Sequence, residues 1–323
     1  MNRALIVLLI IGSACAKLAG QDRLLPSDTS FLLTVNTRAA LQSAALRELF
    51  VPWCKTALEK APNFGQLADI LGIDPLTELW TVSVATGSNR DQDRIIVVLR
   101  GSWDKQSLAG RLLEKSKRME SGLSLVNDNK QTPVYQWSRP GGKPGSVFIA
   151  LSTDGGIVTS PAKDYLAQVL RPNEKADLSD RHFQDSIAAM NPRALAFVAV
   201  SGTSIDWSMV PEEKARDAFK SSRGLSGHLT LNQAETELNL ELSLEFADRE
   251  TASSSSQALD DLAGQSLGYL GMLVAQQPQY KAVHTALKSN RNEAQGNSVR
   301  IRATMPLGEL RELMNPKQAA RGN

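Results

Sequence analysis

Cysteine, histidine and aromatic side chains are all scarce in this chain. Two cysteines, three histidines and an aromatic content of 5% stand in 323 residues. With so few rings, the core has to be built from Leu, Val, Ile and Ala. Three histidines leave little material for a general base or a zinc site, because metal centres need several ligands at short, regular spacing. Cys15 lies in the amino-terminal apolar segment, so Cys54 stands alone and has no partner for an intramolecular disulfide. An excess of charge of either sign is missing too. The 36 Lys and Arg face 34 Asp and Glu, and removal of residues 1–20 takes away Arg3 and Lys17, leaving 34 of each. A nucleic-acid partner requires a dense basic surface. The best local cluster, Lys115 to Arg118, is bracketed by Glu114 and Glu120. Nucleic acid is therefore excluded as a partner.

The chain begins with "MNRALIVLLIIGSACAKLAGQ": a basic Arg3, an apolar run from Ala4 to Ile11, then small residues. This is the layout of a secretory signal peptide, and the run is too short to span a bilayer. Cleavage after Ala16 fits the small-x-small pattern of Ala14-Cys15-Ala16, and cleavage after Gly20 is a second solution. Acylation of Cys15 is the alternative and the one route to membrane attachment. It is the weaker reading, because Gly12 stands where a bulky apolar residue is expected. The sequence predicts an exported, periplasmic or extracellular protein, lipid-anchored in the minority reading.

Beyond residue 20 the chain alternates strand-like and helix-like segments. "SFLLTVNT" precedes a helical stretch with Leu41, Ala45 and Leu49 on one face. "LWTVSVATG" and "RIIVVLRG" form a strand pair, Ser107 to Met119 a helix, and "VYQW", "SVFIALST" and "GIVTSP" a meander. The polar stretch "RPNEKADLSDRHF" marks a boundary near residue 175, after which a similar order recurs. In "TELNLELSLEFAD", Leu238, Leu240, Leu242, Leu244 and Phe246 alternate with Asn239, Glu241, Ser243 and Glu245, so this strand has one buried and one wet face. A long helix follows from about Ser253 to Asn290, with a break near Pro278. The prediction is an α+β fold: a signal peptide (1–20), then two similar lobes (21–175 and 176–323) of mainly antiparallel sheet with helices packed on one face. The shared order points to internal duplication. Doubly wound α/β is the weaker alternative.

"LGIDPLTELWTVSVATG", "VVLRGSWDKQSLAGRL", "LNLELSLEFADRETASSSSQALDDLAG" and "VRIRATMPLGELRELM" resemble segments of uncharacterised exported bacterial proteins with repeated α+β units. The resemblance covers most of the chain beyond the signal. It implies export and repeated units, and carries no activity and no functional residues.

Each candidate for chemistry has a structural reading beside it. "RGSWDKQSL" has the strand–glycine–helix order of a phosphate site. It supplies one glycine, however, and sets Trp103 where a phosphate would approach. Gly101 and Ser102 fit a tight connection, with Ser102 or Asp104 capping the helix. His182, His228 and His284 lack neighbouring ligands, and His228 belongs to the wet face of its strand. Asp260 and Asp261 point to different sides of a helix, and Asp177 and Asp180 fall in a polar linker. Cys54, beside Trp53, reads as a small buried residue. Ser253 to Ser256 read as a helix lead-in. Gly264, Gly268 and Gly271 recur at three- and four-residue spacing, opposite Leu262, Leu270 and Leu273. They fit either a helix lying tight against a sheet or a face that docks a partner helix or apolar ligand. No residue is assigned to catalysis, to a cofactor or to a metal. The expected function is a non-enzymatic binding or protein-interaction module of the cell envelope. A carrier of an apolar small ligand is the alternative, and a hydrolase without a recognisable motif comes third.

Overall fold

A computed structural model describes residues 24–60, 62–87, 93–118, 122–127, 132–138, 146–171, 178–209, 213–277 and 280–314. The signal peptide and the boundary near residue 175 lie outside the described residues. So do Asp177 and Pro278.

The fold is α+β, organised on one twelve-stranded antiparallel sheet. Its amino-terminal strands are β1 (Thr29–Val35), β2 (Leu79–Gly87), β3 (Ile95–Gly101), β4 (Leu123–Asn127), β5 (Val134–Ser138), β6 (Ser146–Leu151) and β7 (Ile157–Ser160). The remaining strands are β8 (Ala196–Ser201), β9 (Gly224–Leu231), β10 (Glu237–Glu245), β11 (Arg291–Gln295) and β12 (Ser298–Pro306). Their spatial order is β11-β12-β10-β9-β8-β1-β2-β3-β7-β6-β5-β4. The two halves meet where β1 pairs antiparallel with β8, from Phe31 opposite Val200 to Val35 opposite Ala196. Each half then repeats one order. A first strand leads to a hairpin, the chain crosses through a helix, and the final strand of the half returns beside the hairpin: β7 on β3, β12 on β10.

The helices are α1 (Thr37–Gln42), α2 (Ala44–Lys60), α3 (Pro62–Leu71), α4 (Lys105–Lys117), α5 (Lys163–Val169), α6 (Arg181–Ala188), α7 (Glu213–Phe219), α8 (Arg249–Gln276), α9 (Lys281–Lys288) and α10 (Leu307–Met314). Alternation of side chains along β1 gives the sheet a Leu32 face and a Leu33 face. In the amino-terminal half both are covered. Ile96, Val98 and Val158 pack under α5 and α6 on the Leu32 face, while Leu99, Ile149 and Ile157 pack under α3 and α4 on the other. The expected one-sided covering does not hold there. The run "IIVVL" in β3 is apolar at every position, and such a strand has to be buried on both sides.

The carboxy-terminal half-sheet divides as the alternation in β10 predicts. Its Leu32 face carries His228, Glu241, Ser243, Arg300 and Arg302, with Glu241 held by Arg300 at 3.2 Å and Arg302 at 3.3 Å. His228 lies opposite Glu241 on this wet face. The Leu33 face is apolar and buried at two ends. Leu46 and Leu49 of α2 pack with Leu238 and Leu307 at one, and Phe219 of α7 and Ala252 of α8 pack with Leu244 and Val299 at the other.

The strand-to-helix stretch "RGSWDK" is a connection. The Trp103 ring lies back on Gly101, so that a Cβ there would sit 2.1 Å from the ring and 2.2 Å from the Glu78 carbonyl oxygen. The indole nitrogen donates to the Gly155 carbonyl at 2.8 Å, and Asp104, not Ser102, caps α4 by accepting from the Ser107 amide. Nearby, Asp154 ion-pairs with Arg100 and accepts a hydrogen bond from the Ser152 hydroxyl. Partial burial alone would raise its pKa, yet the bonds from Ser152 and Arg100 hold it below the usual carboxylate value.

Gly101→Ala should lower stability by about 1–3 kcal/mol in denaturant unfolding, because backbone and ring must both shift. A depressed carboxylate pKa adds stability that is present above the unfolded-state pKa and lost as pH falls through the folded one. Asp154→Asn should therefore lower the unfolding temperature at neutral pH, with the gap to wild type closing below about pH 4. Thermal melts across that range check this.

Candidate functional site

Two polar clusters hold the residues with chemical potential. The first sits at the end of β8. Asp180 caps α6, accepting from the His182 and Phe183 amides at 2.9 and 3.2 Å, and its second oxygen accepts from the Ser201 hydroxyl at 2.5 Å. His182 stands between Glu245, 3.5 Å from Nδ1, and Arg223, 3.4 Å from Nε2. Serine, histidine and carboxylates thus meet here, as a hydrolase would require. The order of contacts is wrong for one. A nucleophile must donate to a histidine that a carboxylate orients, whereas Ser201 donates directly to the capping aspartate and is buried. The ring nitrogens of His182 are turned to Glu245 and Arg223 instead. The cluster ties α6 to the ends of β8, β9 and β10.

The second cluster joins the start of β1 to the β2–β3 hairpin and α5. Arg94 pairs with Asp28 at 2.7 Å and lies over the Tyr165 ring, and the Tyr165 hydroxyl donates to Asp28 at 3.3 Å. Burial, reinforced by the Asp28 charge, pushes the phenol pKa upward. A phenol in that state stays protonated and serves as a hydrogen-bond donor. This group too is a structural tie.

The other expected candidates are dispersed. His284 on α9 lies beside Gly271, and His182 and His228 belong to other elements, α6 and β9. Asp260 accepts from the Asn292 amide at 2.8 Å, and Asp261 is exposed. Ser255, fully buried, donates to the Ala218 carbonyl at 3.0 Å, so the serine run lets α8 lie close against α7. Among the described residues no group of three His, Cys, Asp or Glu side chains could hold a metal ion. Burial pushes the Cys54 thiol up to about 12. The thiolate is the reactive form.

The apolar surfaces are of a different kind. Across the middle of the Leu33 face, Ile95, Val84, Phe31, Val198, Val200 and Leu242 lie on β3, β2, β1, β8 and β10 around Leu33, which stands between Val84 and Val198 and is itself buried. Every residue around it is only half-buried, and none belongs to the four buried clusters. At the β10 end of the strip Leu242 leans over Gly227 of β9, where a Cβ would come within 2.3 Å of its Cδ2. Six strands at ~4.8 Å spacing make this strip roughly 24 Å long.

The second apolar surface is the carboxy-terminal half of α8. From Leu262 to Tyr280 the sequence holds no charged residue. The helix is about 42 Å long at 1.5 Å per residue, and its buried residues, Ala252, Ser255 and Ser256, all fall in its first half. Tyr269 and Met272 are 62% and 64% exposed. A Cβ at Gly264 or Gly268 would meet nothing within 4 Å, and one at Gly271 only His284 at 3.9 Å. The glycines do not seat α8 against the sheet, so the tight-core expectation fails for this half. In a helix interior each costs about 1 kcal/mol against alanine, and among the described residues no packing at Gly264 or Gly268 offsets it. No helix among the described residues is long and apolar enough to cross a membrane.

No protein-family model matches the chain, and no curated protein matches it. Among solved structures it is similar to the one titled "Structure of crystal form III of TP0453", with a TM-score of 0.46 and 10% identity over 91% of this chain and 97% of that one. The likeness is too slight to inform the site.

One expected outcome concerns Cys54. At pH 8 the folded protein should react with a small thiol reagent more than about tenfold more slowly than a free thiol does, and unfolding in denaturant should remove the difference.

Proposed function

We propose that this is an exported, non-enzymatic interaction module of the cell envelope that engages a partner through the outer half of α8. The single observation that carries this is the uncharged stretch from Leu262 to Tyr280, with Tyr269 and Met272 presented to solvent. Exposed apolar surface of this kind marks interaction sites on soluble proteins. Tyr and Met are enriched in interfaces, where each brings a large contact area. The unsupported glycines favour the same reading, since they open a groove along the helix into which another surface can fit. Export rests on the amino-terminal pattern of Arg3, the apolar run and the small residues after it, and on the resemblance to exported bacterial proteins.

A second reading, carriage of an apolar small ligand, is favoured by a separate observation: the half-buried strip across the central strands. Binding sites of this class are lined mainly by apolar side chains.

Photo-crosslinking in the intact cell tests the first reading. A crosslinking residue at position 272 should give a discrete adduct, and one at position 254, on the packed half of α8, should not. The same adduct pattern at both positions would refute the arm as the contact. The double variant Tyr269→Glu, Met272→Glu should lose its partner, while its unfolding free energy stays within about 0.5 kcal/mol of wild type, as expected for surface changes.

A further inference from the structure

We infer that the central strip takes an elongated, uncharged molecule carrying a hydrogen-bond acceptor, of the class of long-chain esters and ketones. The inference rests on the carrier reading and adds the ligand's chemistry to it.

Three polar atoms are buried and unpartnered in one short region beside the strip: Ser204 Oγ, Trp207 Nε1 and Ser222 Oγ. They belong to the connection from β8 to β9. The turn Gly202–Ser204 follows β8 directly, and the Gly202 amide donates to the Arg223 carbonyl at 2.8 Å. Gly202 backs on the Ser222 carbonyl so closely that a Cβ would lie 2.1 Å from its oxygen. The Trp207 ring packs on Phe219 with centroids 5.3 Å apart, and the Ser222 amide donates to the Phe219 carbonyl at 2.9 Å. Ser222 is more than nine-tenths buried.

This region adjoins the strip. Trp207 packs against the same cluster as Leu225, and Leu225 is the cross-strand partner of Val200. An indole N–H can only donate, and a hydroxyl donates or accepts. A buried donor left without an acceptor is unfavourable, so a ligand oxygen that reached one of these atoms would satisfy what the chain leaves open. All three groups are neutral. The nearest cation in sequence, Arg223, sets its guanidinium beside His182. A carboxylate entering this site would lose its water, and none of these three groups supplies a counter-charge. An uncharged acceptor on an apolar body is the chemistry that remains.

Three fluorescent probes separate the claims: methyl cis-parinarate, which has an apolar chain with a neutral ester; cis-parinaric acid, the same chain with a carboxylate; and diphenylhexatriene, which has no acceptor. With the mature wild-type protein at pH 7.5, the ester should bind more than about fivefold tighter than the acid. Trp207→Phe should weaken the ester roughly five- to tenfold, the loss of one hydrogen bond, and leave diphenylhexatriene unchanged. Should Trp207→Phe fail to fold by circular dichroism, Ser204→Ala gives the same readout. Equal or tighter binding of the acid overturns the uncharged class. Equal weakening of ester and hydrocarbon, or of neither, overturns the acceptor role while the carrier reading stands. If no probe binds the wild-type protein, the carrier reading itself fails.

Discussion

The pairing of β1 with β8 is the constraint on which the rest of the structure depends. Five residue pairs, Phe31 to Val35 against Val200 to Ala196, turn two half-sheets into one. The ends of β1 are tied to the remainder of the chain as well. Beyond Val35, the Asn36 amide donates to the Leu195 carbonyl while its side chain caps α1, and the Thr37 hydroxyl donates to the Leu79 carbonyl. At the other end, Asp28 is held by Arg94 and Tyr165. Buried central strands of this kind are where apolar burial contributes most, about 1.5–3 kcal/mol for each fully buried large side chain. A break in this seam would expose the backbone edges of two long sheets at once.

The seam also decides where apolar surface is left over. Helices close the Leu33 face of the amino-terminal half through Leu99, Ile149 and Ile157, and the two ends of the other half through Leu238 and Leu244. Between these clusters lie the strands that flank the seam, and their Val and Leu side chains are only half-buried. The polar Leu32 face of the carboxy-terminal half, with Glu241 between Arg300 and Arg302, needs no cover. One face of a single sheet therefore supplies three of the four buried clusters and the candidate binding strip. The residues that could have made chemistry, Ser201, His182 and Asp180, are engaged in fastening α6 to that sheet.

Much of this was legible in the residues, and the failures have physical reasons. The Leu and Glu alternation of β10 revealed its two faces, because side-chain direction in a strand has period two. The hairpin of β2 and β3 was visible for similar local reasons, and of the two caps the sequence offered, Ser102 and Asp104, the structure uses Asp104. The strand β11, "RNEAQ", carries no apolar signal and owes its form to pairing with β12. The helix α6 was hidden in a polar stretch because only Phe183 and Ile187 face the core. Two lobes were expected from the repeated order. One continuous sheet arises because β1 and β8, each first in its half, pair with each other, a long-range contact that no local pattern announces. The glycine spacing of α8 was visible, but whether Gly264 and Gly268 meet a neighbour depends on where the helix leaves its support. The strip is invisible for the same reason: the sequence marks Leu242 as apolar and is silent on whether a helix covers it.

We propose that this chain holds other molecules and does not transform them. Native mass spectrometry of the protein, isolated gently from the cells that make it, tests that claim most directly. The expected result is a mass above that of the mature chain, from a bound small molecule or a partner chain, that falls to the bare chain on denaturation. A folded monomer with no added mass would contradict the claim.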